Sequence, residues 1–427
     1  MIPSRLVHTR QVLADASGTG RLRRSIGHSF RTLRIRDFKL YWIGAFLSFV
    51  GSWVQNTGQQ WLVFDLTNSE QALGLMTFIG AAPMFFLSPF GGWLADRANK
   101  RMVLVVCQAT FAISAFVLAF AVWQGFATFW MITGMAFVNG CTSVIEIPTR
   151  QSMISNLVPS EDLASALPLS AATFNTARIL GPAIGGLLLG TYGPAACYLI
   201  NGLSFSAIIF AVLAIRADLR STSDRSASLK ESLFEGIRHV YATPAFRTLV
   251  FMMMVTAVCA MFYISLVSAF AGRVLNVGAQ GFGYLLTSTG VGAIIGLLTI
   301  TWLSSKPVKG WIPIIAMCGL GGSLVIVSLT HEMWQSCLAL GMMGVFGVGQ
   351  MVGTNTALQY FSPPELRGRI ISVHVWSMAG LNPVGALLFG KVAEEIGLPI
   401  TFRIGGFIVL FVGILTLLFA KSLKALR

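Results

Sequence analysis

Charged residues are scarce in this sequence of 427 residues. Asp, Glu, Lys and Arg together make up 11% of it, whereas 55% of the residues are hydrophobic. An average soluble domain carries about 25% charged residues, so these few charges cannot cover the surface of a water-soluble protein of this size. Soluble enzymes and disordered proteins are therefore disfavoured, and the mean hydropathy of +0.74 favours an integral membrane protein.

Cysteine is also scarce, and its six occurrences form neither a CxxC pair nor a disulfide pattern, so packing thiols are expected. The sequence contains no P-loop, no cluster of residues at metal-ligand spacing and no nucleophile triad. We therefore expect no metal, no other cofactor and no enzymatic activity. Any work the protein does would draw on an ion gradient rather than on ATP hydrolysed by this chain.

Long apolar runs, by contrast, recur from Phe38 onward. Each has about 20–25 residues, the length that a helix needs to cross a hydrocarbon layer of roughly 30 Å. The backbone within a membrane must satisfy its own hydrogen bonds, so each run predicts a helix. The fold class predicted is an all-α integral membrane protein with twelve transmembrane helices. The predicted spans are 40–64, 72–95, 102–123, 127–149, 165–189, 195–215, 248–271, 282–304, 311–330, 335–358, 370–393 and 399–420.

The net charge of +14 is unevenly distributed among the loops. Of the 30 Lys and Arg residues, 26 fall in the termini and in alternate loops, and only Arg273, Lys391 and Arg403 fall in the opposite loops. This asymmetry predicts that the basic loops and both termini are cytoplasmic, where they face anionic lipid. We expect a multi-pass protein of a bacterial inner membrane, with the lipid bilayer as a partner and no nucleic acid.

The longest polar break divides the spans into two sets of six. The halves share two sequence segments in matching places: LVPSEDLASA with FSPPELRGRI, and LGPAIGGLLLG with LNPVGALLFG. Such a duplication predicts two pseudo-symmetric six-helix bundles around a central cavity. The predicted organisation is a basic tail at 1–39, bundles at 40–215 and 248–420, a loop at 216–247 with an amphipathic helix at 229–241, and a cytoplasmic end at 421–427.

The segment GGWLADRANKR, from Gly91 to Arg101, resembles the signature loop of the major facilitator superfamily. Asn99 replaces a glycine of that loop, and we expect it to tolerate the left-handed backbone there. The sequences WVQNTGQQWLVFDLTNSEQALGL and IPTRQSMISNLVPSEDLASA, with the following ARILGPAIGG, resemble the enterobactin-exporter-like and macrolide-efflux-like drug:proton antiporter branch. The resemblance extends from about Phe38 to Leu423.

The resemblance implies a secondary active transporter that exports small siderophore-like or drug-like amphiphiles by alternating access, coupled to protons. A monomer is expected. A non-transporting sensor or scaffold, acting through the basic tail and the 216–247 loop, is the alternative. One departure concerns span four, where Ala136 and Asn139 stand in place of the Arg and the Gln that many proton-coupled exporters carry. The usual proton relay is therefore in doubt.

The resemblance also implies two sets of gating residues. Asp96 would bind the N-terminus of the eleventh span, where the helix dipole favours an anion. The alternative is that the charged residues of the signature loop, Asp96, Arg97, Lys100 and Arg101, only set the membrane topology. Glycines of the span-five motif resemble those of antiporters, although glycine is frequent in all membrane helices. The full set is Gly92, Asp96, Arg97, Lys100, Arg101, Gly181, Pro182 and Gly185.

Apart from Lys391 and Arg403, which are counted with the opposite loops, two charged residues lie inside predicted spans, where each costs about 2.5–3.5 kcal/mol. Arg178, close to Asn175, would either attract an anionic substrate or a carboxylate in the cavity, or bind the carbonyls freed near Pro182. Glu146 would either titrate or form a structural pair with Arg150. It shares one helical face with Asn139, Thr142 and Ser143, at i, i+3, i+4 and i+7.

Other embedded polar and aromatic residues are candidates for binding a substrate or a proton. His374 would either change charge near neutral pH or pack at a helix interface. Span one offers four amide side chains between two tryptophans, which suits an amphiphilic aromatic substrate. These candidates are Gln55, Asn56, Gln59, Gln60, Gln350, Asn355, His374 and Trp376.

Overall fold

The computed structural model describes residues 32–97, 99–217, 219, 237–303, 310–363, 366–420 and 423, without the side chains of residues 88–97 and 164. Most of the predicted tail, most of the 229–241 surface helix and all but one residue of the C-terminal end lie outside these residues. Residues 237–242 are helical.

The described residues form α-helices joined by short turns, with no β-strand among them. The first half contains α1 to α6 and the second half contains α7 to α13. The helices are α1 Arg36–Thr67, α2 Glu70–Arg97, α3 Lys100–Trp123, α4 Phe129–Leu157, α5 Leu163–Tyr192, α6 Pro194–Ala214, α7 Pro244–Cys259, α8 Tyr263–Ala269, α9 Gly278–Leu303, α10 Ile312–Val327, α11 Met333–Phe361, α12 Arg367–Ile396 and α13 Leu398–Phe419.

Nine helical stretches within the described ranges are long and apolar enough to cross a membrane. One of them is the 31-residue stretch Pro244–Val274, which joins α7, α8 and a π-helical turn at Phe270–Val274. Together with α1, α5 and the shorter apolar α10 they make twelve spans. The predicted fold class is therefore confirmed. Several helices extend beyond the predicted spans, and α4 continues through Pro148 to Leu157, where the sequence predicted an end at residue 149.

The seventh predicted span, 248–271, was wrong as a continuous helix. α7 ends at Cys259, three residues form a turn, and α8 begins at Tyr263. No Pro or Gly lies in this segment; the break is instead accommodated by packing. The ring of Phe262 stacks on that of Phe389 with 4.2 Å between centroids, and Gly405 leaves room for the carbonyl of Cys259.

The two halves repeat the same helix contacts. In the first half, glycines of α5 pack against α1: a Cβ added at Gly181 would lie 2.2 Å from the Cβ of Trp53. In the second half, α12 packs against α7 in the same way, and a Cβ at Gly385 would lie 2.4 Å from the carbonyl oxygen of Val258. These matched contacts agree with the duplication seen in the sequence.

Among the described residues, the closest backbone contacts between the halves lie toward the helix ends that point away from the basic loops, a side called here the outer face. A Cβ added at Gly186 of α5 would lie 2.3 Å from the Cα of Gly283 in α9. A Cβ added at Gly74 of α2 would lie 2.3 Å from the carbonyl oxygen of Ala386 in α12. Since backbones approach this closely, the two bundles are in direct contact at the outer face.

Candidate functional site

A cavity of about 190 Å³ lies between the two halves, and helices of both contribute to its lining. The first half provides mainly polar side chains from α1 and α5. The second half provides an apolar wall that includes five methionines. Its principal lining residues are Trp53, Asn56, Thr57, Gln60, Arg178, Pro182, Met253, Met261, Tyr263, Met343, Met351, Met378 and Asn382.

Arg178 lies in this central cavity, one turn before Pro182 in α5. No hydrogen bond or ion pair joins its guanidinium to another described residue, the carbonyls near Pro182 included. Its electrostatic neighbour is Tyr263, which begins α8 in the other half. Asn175 lies outside the central cavity, and its amide donates to the carbonyl oxygen of Ala171 at 2.9 Å.

A second, more polar cavity of about 390 Å³ lies within the first half. It adjoins the central cavity because Asn56 lines both. The predicted face of α4 contributes three of its four members to the described lining. Thr142 is the exception, and its hydroxyl donates to the carbonyl of Val138. The polar and charged lining residues are Ser48, Ser52, Gln55, Asn56, Gln59, Gln108, Asn139, Ser143, Glu146, Arg150 and Asn201.

Glu146 is buried in this second cavity and has two partners. Its carboxylate Oε1 lies 3.3 Å from Nε of Arg150 and accepts a hydrogen bond of 3.3 Å from the amide of Gln108. The guanidinium of Arg150 lies 4.3 Å from the ring centroid of Phe49, a cation–π contact. Sequence reasoning missed Gln108, although a glutamine within an apolar span was a visible signal.

The four amides of span one divide between the two cavities. Gln55 accepts a hydrogen bond of 2.7 Å from Asn201 of α6, and Gln59 lies near the sulfur of Met76. Gln60 donates to Asn56 at 2.7 Å, but its Oε1 is buried and accepts from no residue in the described ranges. Span one thus carries polar groups to both cavities.

Four candidates of the tenth and eleventh spans, which are α11 and α12, lie outside the described lining of the central cavity: Gln350, Asn355, His374 and Trp376. Gln350 is buried and accepts from the hydroxyl of Thr256 at 2.9 Å. Asn355 accepts from Gln359. His374 is buried, and its Nδ1 has no hydrogen-bond partner in the part of the chain that the structure describes. Trp376 stacks on Phe85 of the first half, with 5.2 Å between centroids. The methionines that line the second half were missed because apolar residues in apolar spans carry no distinct signal.

The backbone of the signature segment is described as the end of α2 up to Arg97 and again from Asn99. The side chains of Asp96 and Arg97, and the surroundings of Gly92, lie outside the described residues. Lys100 is buried and donates to Asn156 at 2.8 Å, and Arg101 donates to the carbonyl of Ile215 at 2.7 Å. Both contacts hold helices of the first half together.

The expectation of a left-handed backbone at Asn99 was wrong. Its φ is −66°, and its side chain caps α3 by accepting from the backbone N–H of Arg101 and Met102. Asparagine is favoured at such N-caps because its short side chain reaches the unpaired amides of the first turn.

Charged residues also join the two halves at the outer face, a feature that sequence reasoning missed. Nη1 of Arg273 lies 2.9 Å from both carboxylate oxygens of Glu70, and the guanidinium also donates to Asn68. The carboxylate of Glu394 accepts from Ser69 at 2.9 Å and from the backbone N–H of Glu70 at 2.8 Å. We call these residues the outer cluster: Asn68, Ser69, Glu70, Gln71, Arg273 and Glu394.

Comparison with known proteins agrees with this architecture. The chain is 24% identical over 380 residues to the staphyloferrin A transporter of Staphylococcus aureus, covering 86% of this chain and 92% of that protein. It is 23% identical over 353 residues to the multidrug efflux pump Tap of Mycolicibacterium fortuitum, covering 80% and 85%. A crystal structure of a mutant of the nucleoside transporter NupG has the same fold, with a TM-score of 0.73 at 13% identity over 90% of this chain and 99% of that one.

The family description "transmembrane secretion effector" matches residues 27–425, nearly the whole chain. This match, the twelve spans in two bundles and the cavity between them agree with one another. The chain belongs to the transmembrane secretion effector family of the major facilitator superfamily and is a multi-pass membrane transporter.

Proposed function

We propose that the protein exports small amphiphilic compounds, siderophore-like or drug-like, from the cytoplasm by alternating access. The observation that carries this proposal is a cavity lined by both bundles while the bundles touch at the outer face. A cargo bound there contacts both halves, so its binding can couple to their relative movement. The two relatives, a siderophore transporter and a multidrug pump, support a cargo of this class.

The lining of the central cavity suits an amphiphile. Its thioethers are flexible and polarisable, and such surfaces adapt to apolar bodies of different shape. Trp53 and Tyr263 provide aromatic surface, while Asn56 and Gln60 provide hydrogen-bonding groups. A few polar groups in an apolar pocket fix the orientation of a ligand without demanding one molecular skeleton.

We propose the proton as the coupling ion and Glu146 as the group that carries it. The carboxylate is buried in a polar cavity that adjoins the cargo cavity, and Arg150 is its ionic partner. Protonation would remove the negative charge and release Arg150 from this pair. Asn139 and Ser143 line the same cavity and would assist the transfer.

We further propose that the signature loop gates the cytoplasmic side, with Asp96 bound at the N-terminus of α12 when that side closes. In the proposed orientation the basic loops and both termini face the cytoplasm, and segment 216–247 connects a bundle at 40–215 to one at 248–420. The protein would act as a monomer in the inner membrane. Gly181, Pro182 and Gly185 would keep α5 close to α1 during the movement.

The test is transport by the purified chain in proteoliposomes under an imposed pH gradient. The probes are a citrate-based siderophore, a fluoroquinolone and 1-naphthoate, each offered on the cytoplasmic side. We expect at least one probe to accumulate with the gradient, and the double substitution Asp96→Asn with Glu146→Gln to abolish this dependence. Accumulation of none refutes export of this class, whereas accumulation that survives the double substitution refutes the proton and gate assignments.

A further inference from the structure

Arg178 stands out among the described residues that line the central cavity, because it alone carries a charge. An ionised group inside a membrane protein is costly and normally has a partner or faces water. The guanidinium has five N–H donors and remains charged under all ordinary conditions. Within the described part of the chain, no side chain or carbonyl accepts from it.

The two buried carboxylates among the described residues are engaged elsewhere. Glu146 pairs with Arg150 in the second cavity, where Oε1 of Glu146 lies 3.3 Å from Nε of Arg150. Glu70 pairs with Arg273 at the outer face. The described lining of the central cavity therefore has a net positive charge, and Tyr263 of the other half lines the same cavity.

Gln60 supplies a second feature of the same cavity. The residue is 7% exposed, and its Oε1 is a buried acceptor to which no described residue donates a hydrogen bond. A buried acceptor without a donor costs free energy, and a ligand that brings a donor removes that cost. The cavity thus lacks one anion and one hydrogen-bond donor, both of which a ligand can provide.

We propose that Arg178 is the anion-binding residue of the cargo site, and that the cargo is an amphiphile with a carboxylate or similar oxyanion and a nearby hydroxyl or amide N–H. This inference rests on the proposed export function and specifies its substrate class. The planar guanidinium can bind a carboxylate through two parallel hydrogen bonds. Tyr263 lines the same cavity, and the methionines would receive the apolar body.

The site also joins anion binding to movement. Arg178 belongs to α5 of the first half and Tyr263 to α8 of the second, immediately after the break that follows α7. An anion held between them contacts both bundles at once. Cationic amphiphiles meet repulsion from the same guanidinium, so the cavity selects by charge as well as by size.

The test measures binding of three probes of one ring system to the purified full chain in nanodiscs, with empty nanodiscs subtracted. The probes are 1-naphthoate, 1-naphthalenemethanol and 1-naphthylmethylammonium, which differ mainly in charge. At neutral pH we expect 1-naphthoate to bind roughly tenfold more tightly than either of the others. Arg178→Gln should remove this preference, and Arg178→Lys should retain part of it because the charge remains but the planar fork is lost.

Arg403→Gln is the matched control, because it removes an equal charge from α13, where Arg403 lies near Ser328. It should leave the preference for 1-naphthoate unchanged. Equal binding of the three probes, no binding of 1-naphthoate, or a preference that persists in Arg178→Gln overturns the proposal. If Arg178→Gln does not fold, Arg178→Lys is the deciding variant. An unchanged affinity of Arg178→Lys for 1-naphthoate also counts against the proposal. The transport assay in proteoliposomes separates this proposal from the export function. If 1-naphthylmethylammonium accumulates there equally in the unsubstituted protein and in Arg178→Gln, export stands and the anionic cargo is refuted.

Discussion

Arg273 and Glu70 form an ion pair that joins the two halves of the transporter, with Nη1 of Arg273 2.9 Å from each carboxylate oxygen of Glu70. The side chain of Glu70 is 1% exposed, so its carboxylate depends on this partner, whereas the Arg273 side chain is 38% exposed. Removing one partner of a buried pair leaves the other charge uncompensated. The pair therefore stabilises the conformation that is closed at the outer face.

Replacing Arg273 with Gln should shift the protein toward the outward-open conformation. Because Arg273 is partly exposed, we expect a modest effect of about 1 kcal/mol, or roughly fivefold in population. The measurement uses a chain whose native cysteines are replaced and which carries Leu286→Cys, a position that lines the central cavity. An impermeant maleimide is added outside, and the rate at which it labels this cysteine is measured. Arg403→Gln is the control with an equal change in charge. An unchanged labelling rate in Arg273→Gln would show that the pair does not hold the outer face closed.

Glu394 caps the N-terminus of α2 from the opposite half, and Glu394→Ala should loosen the first turn of that helix. The loss of an N-cap typically costs about 1 kcal/mol. Hydrogen exchange at the amides of Glu70 and Gln71, which donate to Glu394, should become roughly fivefold faster. Glu395→Ala, one residue away, should leave the exchange unchanged. Equal effects of the two substitutions would contradict a capping role.

Gly186 permits the closest backbone approach between α5 and α9, so Gly186→Ala should prevent full closure at the outer face. The added Cβ would lie 2.3 Å from the Cα of Gly283, and neither backbone can move away without separating the bundles. We expect gradient-driven transport to fall at least roughly tenfold with normal membrane insertion. Gly322→Ala is the control, since an added Cβ there has no neighbour within 4 Å. Normal transport by Gly186→Ala would be incompatible with this role.

Phe262 lies at the break between α7 and α8, and Phe262→Ala should destabilise the second half. Its side chain is fully buried and stacks on Phe389, and such a truncation typically costs about 3–5 kcal/mol. The apparent unfolding temperature of the solubilised protein should fall by several degrees. Phe251→Ala in α7 is the matched control, because that ring is 53% exposed and should contribute little. Equal unfolding temperatures for the two variants would refute the importance of the stack.

The all-α fold class and the number of membrane spans could be predicted from the sequence because membrane crossing imposes a strong local constraint. The spans could be read from runs of apolar residues, since a backbone in lipid must form its own hydrogen bonds. Glu146 could likewise be linked to Arg150, because i and i+4 are neighbours on any helix. The break after Cys259 could not be predicted, because it depends on Phe389 and Gly405, more than 120 residues away in the chain.

The sequence by itself determined the fold class, the duplication into two halves and the asymmetry of basic loops, because these follow from hydropathy, length and charge counted along the chain. Only the tertiary structure decided which polar residues share a cavity. It brought Arg178 to Tyr263, separated His374 and Gln350 from the described cavity lining, and joined Glu394 to the start of α2. The physical reason is that side chains in a bundle meet through the rotation and register of separate helices, which packing sets and local periodicity does not specify.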